Sequence, residues 1–188
     1  MAKTVKMVLA GEGGQGVQSV AEILVEAAHE EGRECLYIPN FGVEQRGGVS
    51  VAFAQISDDV IGAPKFNIGD VVVALSERSI HRTKQYVGPE TIFVYDSSID
   101  IAKEDLPQNA AKVLSIPAVE ISKNELHPRV FNIIIMGALV GATNVITQED
   151  AKKAIEYKLG DKFAKQPSLR DMNFTAIDRG IELVTKAG

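Results

Sequence analysis

The chain has one cysteine and three histidines among its 188 residues, which leaves few soft ligands for a metal. Cys35 cannot form an internal disulfide, and a single thiolate cannot hold an iron–sulfur cluster or a structural zinc site. Its apolar neighbours predict a small core residue on a strand rather than a redox centre. The histidines stand far apart in the sequence, at His29, His81 and His127. We therefore expect no metal site in this chain.

Long apolar runs and clusters of basic residues are also missing. No apolar stretch approaches the ~20 residues that span a bilayer, and the amino terminus lacks the pattern of a signal peptide. The net charge of −5 and the pI of about 5.3 argue against nucleic acid or an anionic membrane as the main partner. These absences predict a cytoplasmic protein. With 45% hydrophobic and 24% charged residues, the chain is expected to form one domain over residues 1–188.

Glycine is concentrated in one short stretch near the amino terminus, Gly11-Glu12-Gly13-Gly14-Gln15-Gly16. An apolar segment from Thr4 to Ala10 precedes it and predicts a buried strand. Apolar residues at helical spacing follow from Val17 and predict a helix with one buried face. The stretch therefore predicts a tight turn from strand to helix, where glycines allow positive φ and the close approach of a ligand. The free N–H groups at the start of such a helix form an anion site.

Two common nucleotide motifs fit this turn incompletely. The spacing of Gly11–Gly16 matches the dinucleotide fingerprint, but Pro39 or Asn40 stands where the ribose-binding acid is expected. A Walker A motif is excluded because Val17 occupies the position of the lysine. Two interpretations stay open: a phosphate-binding turn, or a turn that only permits close packing against another chain. Gln15 favours a polar contact across a site or an interface, because its amide both donates and accepts.

Further strands and helices alternate along the chain. Asp58 and Asp59 predict a turn after which residues 60–62 pair back as a hairpin, and residues 160–167 predict a linker. The alternation predicts a three-layer α/β/α fold with a mixed, mostly parallel sheet. The later predicted strands cover residues 35–38, 49–57, 70–75, 91–95 and 112–116, and the later helices begin near residues 76, 128, 147 and 168.

A second motif, Phe41-Gly42-Val43-Glu44-Gln45-Arg46-Gly47-Gly48, lies in the loop before the strand predicted at residues 49–57. In this order and spacing, the two motifs resemble those of the gamma subunit of 2-oxoacid:ferredoxin oxidoreductases, and the likeness extends over nearly the whole chain. The first motif is similar to the 2-oxoglutarate and 2-ketoisovalerate branch, since Gly13-Gly14 stands where pyruvate enzymes often carry an arginine. In the second motif, Phe41 and Val43 replace the tyrosine and the proline that are common in the family.

The resemblance implies one subunit of a larger enzyme that oxidatively decarboxylates a 2-oxoacid, with 2-oxoglutarate expected, to an acyl-CoA. It implies thiamine diphosphate, Mg²⁺, iron–sulfur clusters, CoA and ferredoxin as the electron acceptor. It also implies alpha and beta partner subunits, with a delta subunit left open. This chain lacks the Gly-Asp-Gly motif and the paired asparagines that bind thiamine diphosphate, and it has a single cysteine. We therefore expect no catalytic residue here, and we expect the cofactors on partner chains.

Within this picture, the chain is expected to complete the active-site wall and the CoA site. The N–H groups after Gly13 are expected to receive a CoA phosphate. The residues expected to contact the cofactor are Gly11, Gly13, Gly14, Gln15 and Gly16, and those expected at the substrate or at an interface are Glu44, Arg46, Gly47 and Gly48.

Other interpretations of the same residues stay open. Glu44 and Arg46 can form a salt bridge that orders their loop or docks a neighbouring subunit, instead of contacting a ligand. The whole chain can also be a stand-alone nucleotide- or CoA-binding protein of Rossmann-like fold, or a structural scaffold.

Overall fold

A computed structural model of the chain describes residues 4–41 and 48–186. Its centre is a six-stranded sheet in the order β2-β3-β1-β4-β5-β6. The strands are β1 Val5–Glu12, β2 Glu34–Asn40, β3 Val49–Ser57, β4 Val71–Ala74, β5 Ile92–Asp96 and β6 Lys112–Ile116.

The sheet is mixed, as the sequence predicts. Strands β1, β4, β5 and β6 run parallel to one another, whereas β3 runs antiparallel to both β1 and β2. Strand β2 therefore runs parallel to β1, and β3 is inserted between these two strands in the sheet.

The predicted hairpin at residues 60–62 is wrong, because no strand forms there. Strand β3 already pairs with β1 on one side and β2 on the other, so it has no free edge for a returning segment. The segment instead leaves the sheet with Val60 78% exposed. It is tied back where the Gln55 side chain donates a hydrogen bond of 2.9 Å to the Ala63 carbonyl.

The described helices are α1 Val17–Glu30, α2 Glu77–Thr83, α3 Ala118–Asn124, α4 Phe131–Thr143, α5 Gln148–Lys165 and α6 Ser168–Lys186, with short 3₁₀ turns at Lys84–Tyr86, Lys103–Asp105 and Pro128–Val130. The predicted linker at 160–167 is wrong, because α5 continues to Lys165. Burial of Ile155 and Phe163 on either side of Gly160 holds the helix together across the glycine. The helix ends just before Pro167, where the residue preceding a proline avoids helical geometry.

The helices cover the two faces of the sheet unequally. Met7 and Leu9 of β1 point to a first face, which packs against α1, α4 and the other carboxyl-terminal helices. Val8 points to a second face, which is covered by Ile80 of α2 and by irregular segments that include Phe66. The predicted three-layer α/β/α fold is therefore confirmed, with α2 as the one α-helix described in its second layer.

Helices α4 and α6 approach closely through glycines. A Cβ placed on Gly137 would lie 2.2 Å from the Ile177 carbonyl oxygen, and one on Gly180 would lie 2.1 Å from the Ile134 carbonyl oxygen. Only glycine fits at such a crossing. The contact fixes the position of α4, whose residues 133–140 are all buried.

Candidate functional site

The glycine turn lies at the carboxyl edge of the sheet, where the helical connections change faces. After β1 the chain enters α1 on the first face, whereas after β4 it enters α2 on the second face. Strands β1 and β4 are neighbours, so a crevice opens between their carboxyl ends. Open α/β sheets bind ligands at such a switch point. The fold thus places the Gly11–Gly16 turn where a ligand site is expected.

The backbone of the turn explains two of its glycines. Gly14 and Gly16 have φ of 97° and 77°, in the left-handed region that favours glycine. A Cβ on Gly16 would also lie 2.8 Å from Nδ2 of Asn132. By contrast, a Cβ on Gly13 or Gly14 would meet nothing within 4 Å, and both residues are exposed. The tip of the turn therefore leaves its backbone open to a ligand or to another chain.

Gln15 makes its polar contacts inside the chain. Its Oε1 accepts a hydrogen bond of 2.7 Å from the Glu12 backbone N–H, and its Nε2 donates one of 2.8 Å to the Leu75 carbonyl. Leu75 directly follows β4, so the side chain bridges the crevice between the ends of β1 and β4. These partners are internal, whereas the sequence predicts a polar contact across a site or an interface, and a contact between Gln15 and a cofactor stays a prediction.

Two helices begin beside the turn without a negative side chain at their starts. Gly16 is the N-cap of α1 and packs against Asn132, the second residue of α4. Neither helix has an acidic residue in its first turn, and α1 has no side-chain cap. Helix α4 continues directly from the 3₁₀ turn Pro128–Val130, and the Phe131 N–H at its start donates to the Pro128 carbonyl. The amino end of the α1 dipole therefore adds positive potential here. This arrangement suits an anion such as a phosphate, with Glu12 the one carboxylate within the turn itself.

The second motif joins the sheet next to this turn. Val49, the first residue of β3, pairs with Glu12, and Ser50 pairs with Gly11. The half-buried Gly48 therefore lies beside the end of β1, while Phe41, at the other end of the motif, is 68% exposed. Glu44, Arg46 and Gly47 lie outside the described residues, so their roles stay predictions.

Comparison with known proteins assigns the family. Residues 6–183 match the family described as pyruvate ferredoxin/flavodoxin oxidoreductase. The chain belongs to this family. The resemblance expected from the two glycine motifs is thereby confirmed.

Two relatives and one solved structure illustrate the similarity. The chain is 32% identical to ketoisovalerate oxidoreductase subunit VorA of Methanothermobacter thermautotrophicus over 95% of its own length and 36% of that protein. It is 32% identical to 2-oxoglutarate synthase subunit KorC of Methanocaldococcus jannaschii, over 78% of the chain and 79% of the relative. A 2-oxoglutarate:ferredoxin oxidoreductase of Magnetococcus marinus, solved with 2-oxoglutarate, coenzyme A and succinyl-CoA bound, superposes with a TM-score of 0.88 at 25% identity, over 98% of this chain and 31% of that one. The chain thus spans about a third of the length of VorA and of the solved chain.

A hydrogen-bonded group around Gln18 was missed from the sequence. The Tyr37 hydroxyl donates to Oε1 of Gln18 at 2.7 Å, and Nε2 of Gln18 donates to Oγ of Ser50 at 2.7 Å and to the Val51 carbonyl at 3.1 Å. Burial of the phenol raises the pKa of Tyr37, and the Glu22 carboxylate adds to the rise, so the hydroxyl keeps its proton. These residues come from three separate elements, and no motif marks them.

Asp96, at the carboxyl end of β5, is only 1% exposed and has a structural role. Its Oδ1 accepts hydrogen bonds from the backbone N–H and the hydroxyl of Ser98 at 2.9 and 2.5 Å. Its Oδ2 accepts one of 2.9 Å from the Val119 N–H at the start of α3. Both oxygens are therefore occupied in joining β5 to α3, and we assign this carboxylate no chemistry.

The two main clefts lie at the opposite edge of the sheet. The larger, about 660 Å³, is lined by Glu31, Arg33 and Asp58 among others, and the smaller, about 360 Å³, by Lys6 and Phe66 among others. Neither cleft includes a residue of the glycine turn. The glycine turn is therefore exposed at Gly13 and Gly14, while both of these open clefts lie at the edge where β1 begins.

Potential metal and redox ligands are sparse in the described part of the chain. Residues 4–41 and 48–186 contain no group of three or more His, Cys, Asp or Glu side chains placed to hold a metal ion. Burial raises the pKa of the half-buried Cys35 thiol, which packs against the core as its apolar neighbours predict. Over the same residues, no helix has the length and apolar character needed to cross a membrane.

Proposed function

We propose that the chain is the gamma subunit of a multi-subunit 2-oxoacid:ferredoxin oxidoreductase. The complex oxidatively decarboxylates a 2-oxoacid, forms an acyl-CoA and passes the electrons to ferredoxin. Its other chains are alpha and beta subunits, with or without a delta subunit. Family membership supports this proposal, as do relatives named for reactions of ketoisovalerate and 2-oxoglutarate.

Within the complex, the chain supplies a wall of the active site and no cofactor of its own. The described residues offer no metal-binding group, and one cysteine cannot hold an iron–sulfur cluster. We therefore place thiamine diphosphate, Mg²⁺ and the clusters on partner chains. The site on this chain is the exposed tip of the glycine turn, which suits a surface that a partner subunit completes.

The exposed tip of the glycine turn, at Gly13 and Gly14, receives a phosphate of CoA. The observation that carries this assignment is the exposed backbone of Gly13 and Gly14 just before α1, a helix whose start has no side-chain cap and no acidic residue in its first turn. Backbone N–H groups there donate to the phosphate, and the dipole of α1 stabilises its charge. We propose that Arg46 of the second motif pairs with the same anion or with the carboxylate of the substrate.

The proposed substrate is 2-oxoglutarate, on the strength of the Gly13-Gly14 form of the first motif. Relatives of this chain are named for 2-oxoglutarate, ketoisovalerate and pyruvate. A direct comparison of these three 2-oxoacids with the reconstituted enzyme decides among them, through the kcat/KM for each at saturating CoA.

A charge placed at the tip of the turn tests the CoA assignment. A side chain at position 13 has open space, so Gly13→Asp adds a carboxylate without a clash, and Gly13→Ala is the neutral control. Losing a charge-assisted contact costs about 1.5–3 kcal/mol, so we expect Gly13→Asp to raise the KM for CoA at least about tenfold in the reconstituted complex. Gly13→Ala is expected to stay within about twofold of the native value. An unchanged KM for CoA in a normally assembled Gly13→Asp complex would refute the CoA site.

The stand-alone alternative makes a different prediction. A free nucleotide- or CoA-binding protein binds CoA or NAD as the isolated chain, which titration calorimetry measures directly. The subunit proposal expects weak or undetectable binding to the isolated chain, together with co-purification of chains that carry thiamine and cluster motifs. Purification of the chain from its native source without partner subunits, together with tight binding of CoA, would favour the stand-alone alternative.

A further inference from the structure

Gln18 connects three of the elements that border the two motifs of the site. It lies in the first turn of α1, directly after the glycine turn. Its amide contacts Tyr37 on β2 and both Ser50 and Val51 on β3. Strands β2 and β3 flank the second motif, which begins at Phe41 and ends at Gly48. One side chain therefore joins the helix that leaves the first motif to both strands that border the second.

The polar character of this position calls for an explanation. Neighbouring positions of α1 that face the sheet, such as Val20 and Ala21, are buried and apolar. An apolar side chain at position 18 would also cover β3, without the cost of removing an amide from water. Replacing both partners of a hydrogen bond by apolar groups of similar shape is often nearly neutral for stability. Stability alone therefore gives little reason for a glutamine here, whereas directional bonds fix the register of three elements.

Ser50 links the hydrogen bonds of Gln18 to the glycine turn. It pairs with Gly11, the first residue of the glycine motif, and it stands two residues after Gly48. A hydrogen bond of 2.7 Å from Gln18 to Oγ of Ser50 thus sets where β3 begins relative to the start of α1. The 2.7 Å bond from the Tyr37 hydroxyl does the same for the middle of β2, three residues before that strand ends.

We propose that Gln18 is a positioning residue, which holds the two strands that flank the second motif in register with the glycine turn. Its role is to keep Gly48 and the start of β3 in place beside the ligand that the turn receives. The inference rests on the proposed CoA site, because it assigns Gln18 an effect on that site and not on the fold.

The test replaces the amide by an apolar side chain of similar length, Gln18→Met, in the reconstituted complex. Displacement of a site element by about 1 Å can cost up to a hundredfold, and we expect a KM for CoA raised about tenfold. In the isolated chain, backbone amides at residues 48–52 should exchange about tenfold faster with solvent, because the start of β3 opens more easily. The melting temperature should fall by less than about 4 °C, because the three groups that lose their partner are only part-buried and can bond water. Gln85→Met is the matched control, because Gln85 is an exposed glutamine whose amide bonds only the Arg82 carbonyl of its own turn.

Tyr37→Phe provides an independent variant, since it removes one hydrogen bond and keeps the ring. It should give the same two effects at a smaller size, about threefold each. If the Gln18→Met complex fails to assemble, Tyr37→Phe still tests the positioning role of Gln18. A lower melting temperature with unchanged exchange at residues 48–52 and unchanged CoA kinetics would overturn the proposal and leave Gln18 a purely structural residue.

The outcome is separable from that of the CoA site itself. If Gly13→Asp leaves the KM for CoA unchanged, the proposed CoA site at the glycine turn is refuted. If Gly13→Asp raises that KM but neither Gln18→Met nor Tyr37→Phe does, only the positioning role is refuted.

Discussion

Replacing Gly180 by alanine tests the contact between α4 and α6, on which the position of Asn132 depends. The new Cβ would lie 2.1 Å from the Ile134 carbonyl oxygen and 2.7 Å from the Ala138 nitrogen. Carbon and oxygen atoms in contact are separated by roughly 3.3 Å or more, so the helices must move apart by about 1 Å. No side-chain rotation relieves this clash, because the opposing atoms belong to the backbone of α4.

The expected cost follows from two opposing terms. Overpacking a well-filled contact destabilises a protein by about 1–3 kcal/mol, and a backbone clash belongs at or beyond the upper end of that range. Alanine recovers up to about 1 kcal/mol through its better helix propensity. We therefore expect a net loss of about 2 kcal/mol in the free energy of unfolding. For a domain of this size, that lowers the melting temperature by about 4–8 °C, measurable by circular dichroism.

Gly160→Ala is the matched control, because Gly160 lies inside α5 and a Cβ there meets nothing within 4 Å. The same substitution should stabilise the chain at this position, by about 0.5–1 kcal/mol. If Gly180→Ala melts at or above the temperature of the native chain, the described approach of α4 to α6 is wrong. In that case the placement of Asn132 against Gly16 also loses its support.

Three further substitutions probe single groups. Gln15→Glu keeps an acceptor for the Glu12 N–H but sets a carboxylate against the Leu75 carbonyl, so the chain should unfold about 1–3 kcal/mol more easily in urea. Asp96→Ala leaves the N–H groups of Ser98 and Val119 without their acceptor and should cost about 2–3 kcal/mol by the same assay. Burial, reinforced by Asp150, raises the pKa of Glu31 in the folded chain, so its ionised form destabilises the fold above that pKa and has no effect below the unfolded value. Glu31→Gln should therefore raise the melting temperature at pH 7 and leave it unchanged near pH 3, and an equal rise at both values would contradict this assignment.

The sequence predicts individual elements of this fold better than their arrangement. The apolar run Val71–Ala74 is buried at every residue, and so it is recognisable as a strand. The position of β3 between β1 and β2 depends on long-range pairing that no local pattern encodes. The hairpin expected at residues 60–62 failed for that reason, since both edges of β3 were already taken. The linker expected at Gly160 failed because tertiary burial of Ile155 and Phe163 outweighs the low helix propensity of one glycine.

The candidate site is also only partly predictable from the sequence. The spacing of Gly11–Gly16 is sufficient to predict a turn from strand to helix, because glycine is needed where φ is positive. The partners of that turn come from distant segments that carry no motif of their own. Leu75 contributes only a backbone carbonyl, and Asn132 contributes contact with Gly16. The two motifs meet because Ser50 pairs with Gly11, which is a property of the sheet and not of either motif.

The Gln15 bridge bears on the choice between a subunit and a stand-alone nucleotide-binding protein. In dinucleotide-binding folds the ligand lies in the crevice beyond the strand ends at the switch point. In this chain the crevice between β1 and β4 is crossed by the Gln15 amide, which is bonded to Glu12 on one side and Leu75 on the other. A ligand that entered the crevice would have to break both bonds, whereas a ligand above the turn leaves them intact and meets the exposed backbone of Gly13 and Gly14. The described residues border such a ligand on one side only, which suits a site that a different chain helps to complete. The two hydrogen bonds of Gln15 therefore favour a site shared with another chain over a site enclosed by this chain alone. They also give Gln15 the role of stabilising the conformation of the glycine turn.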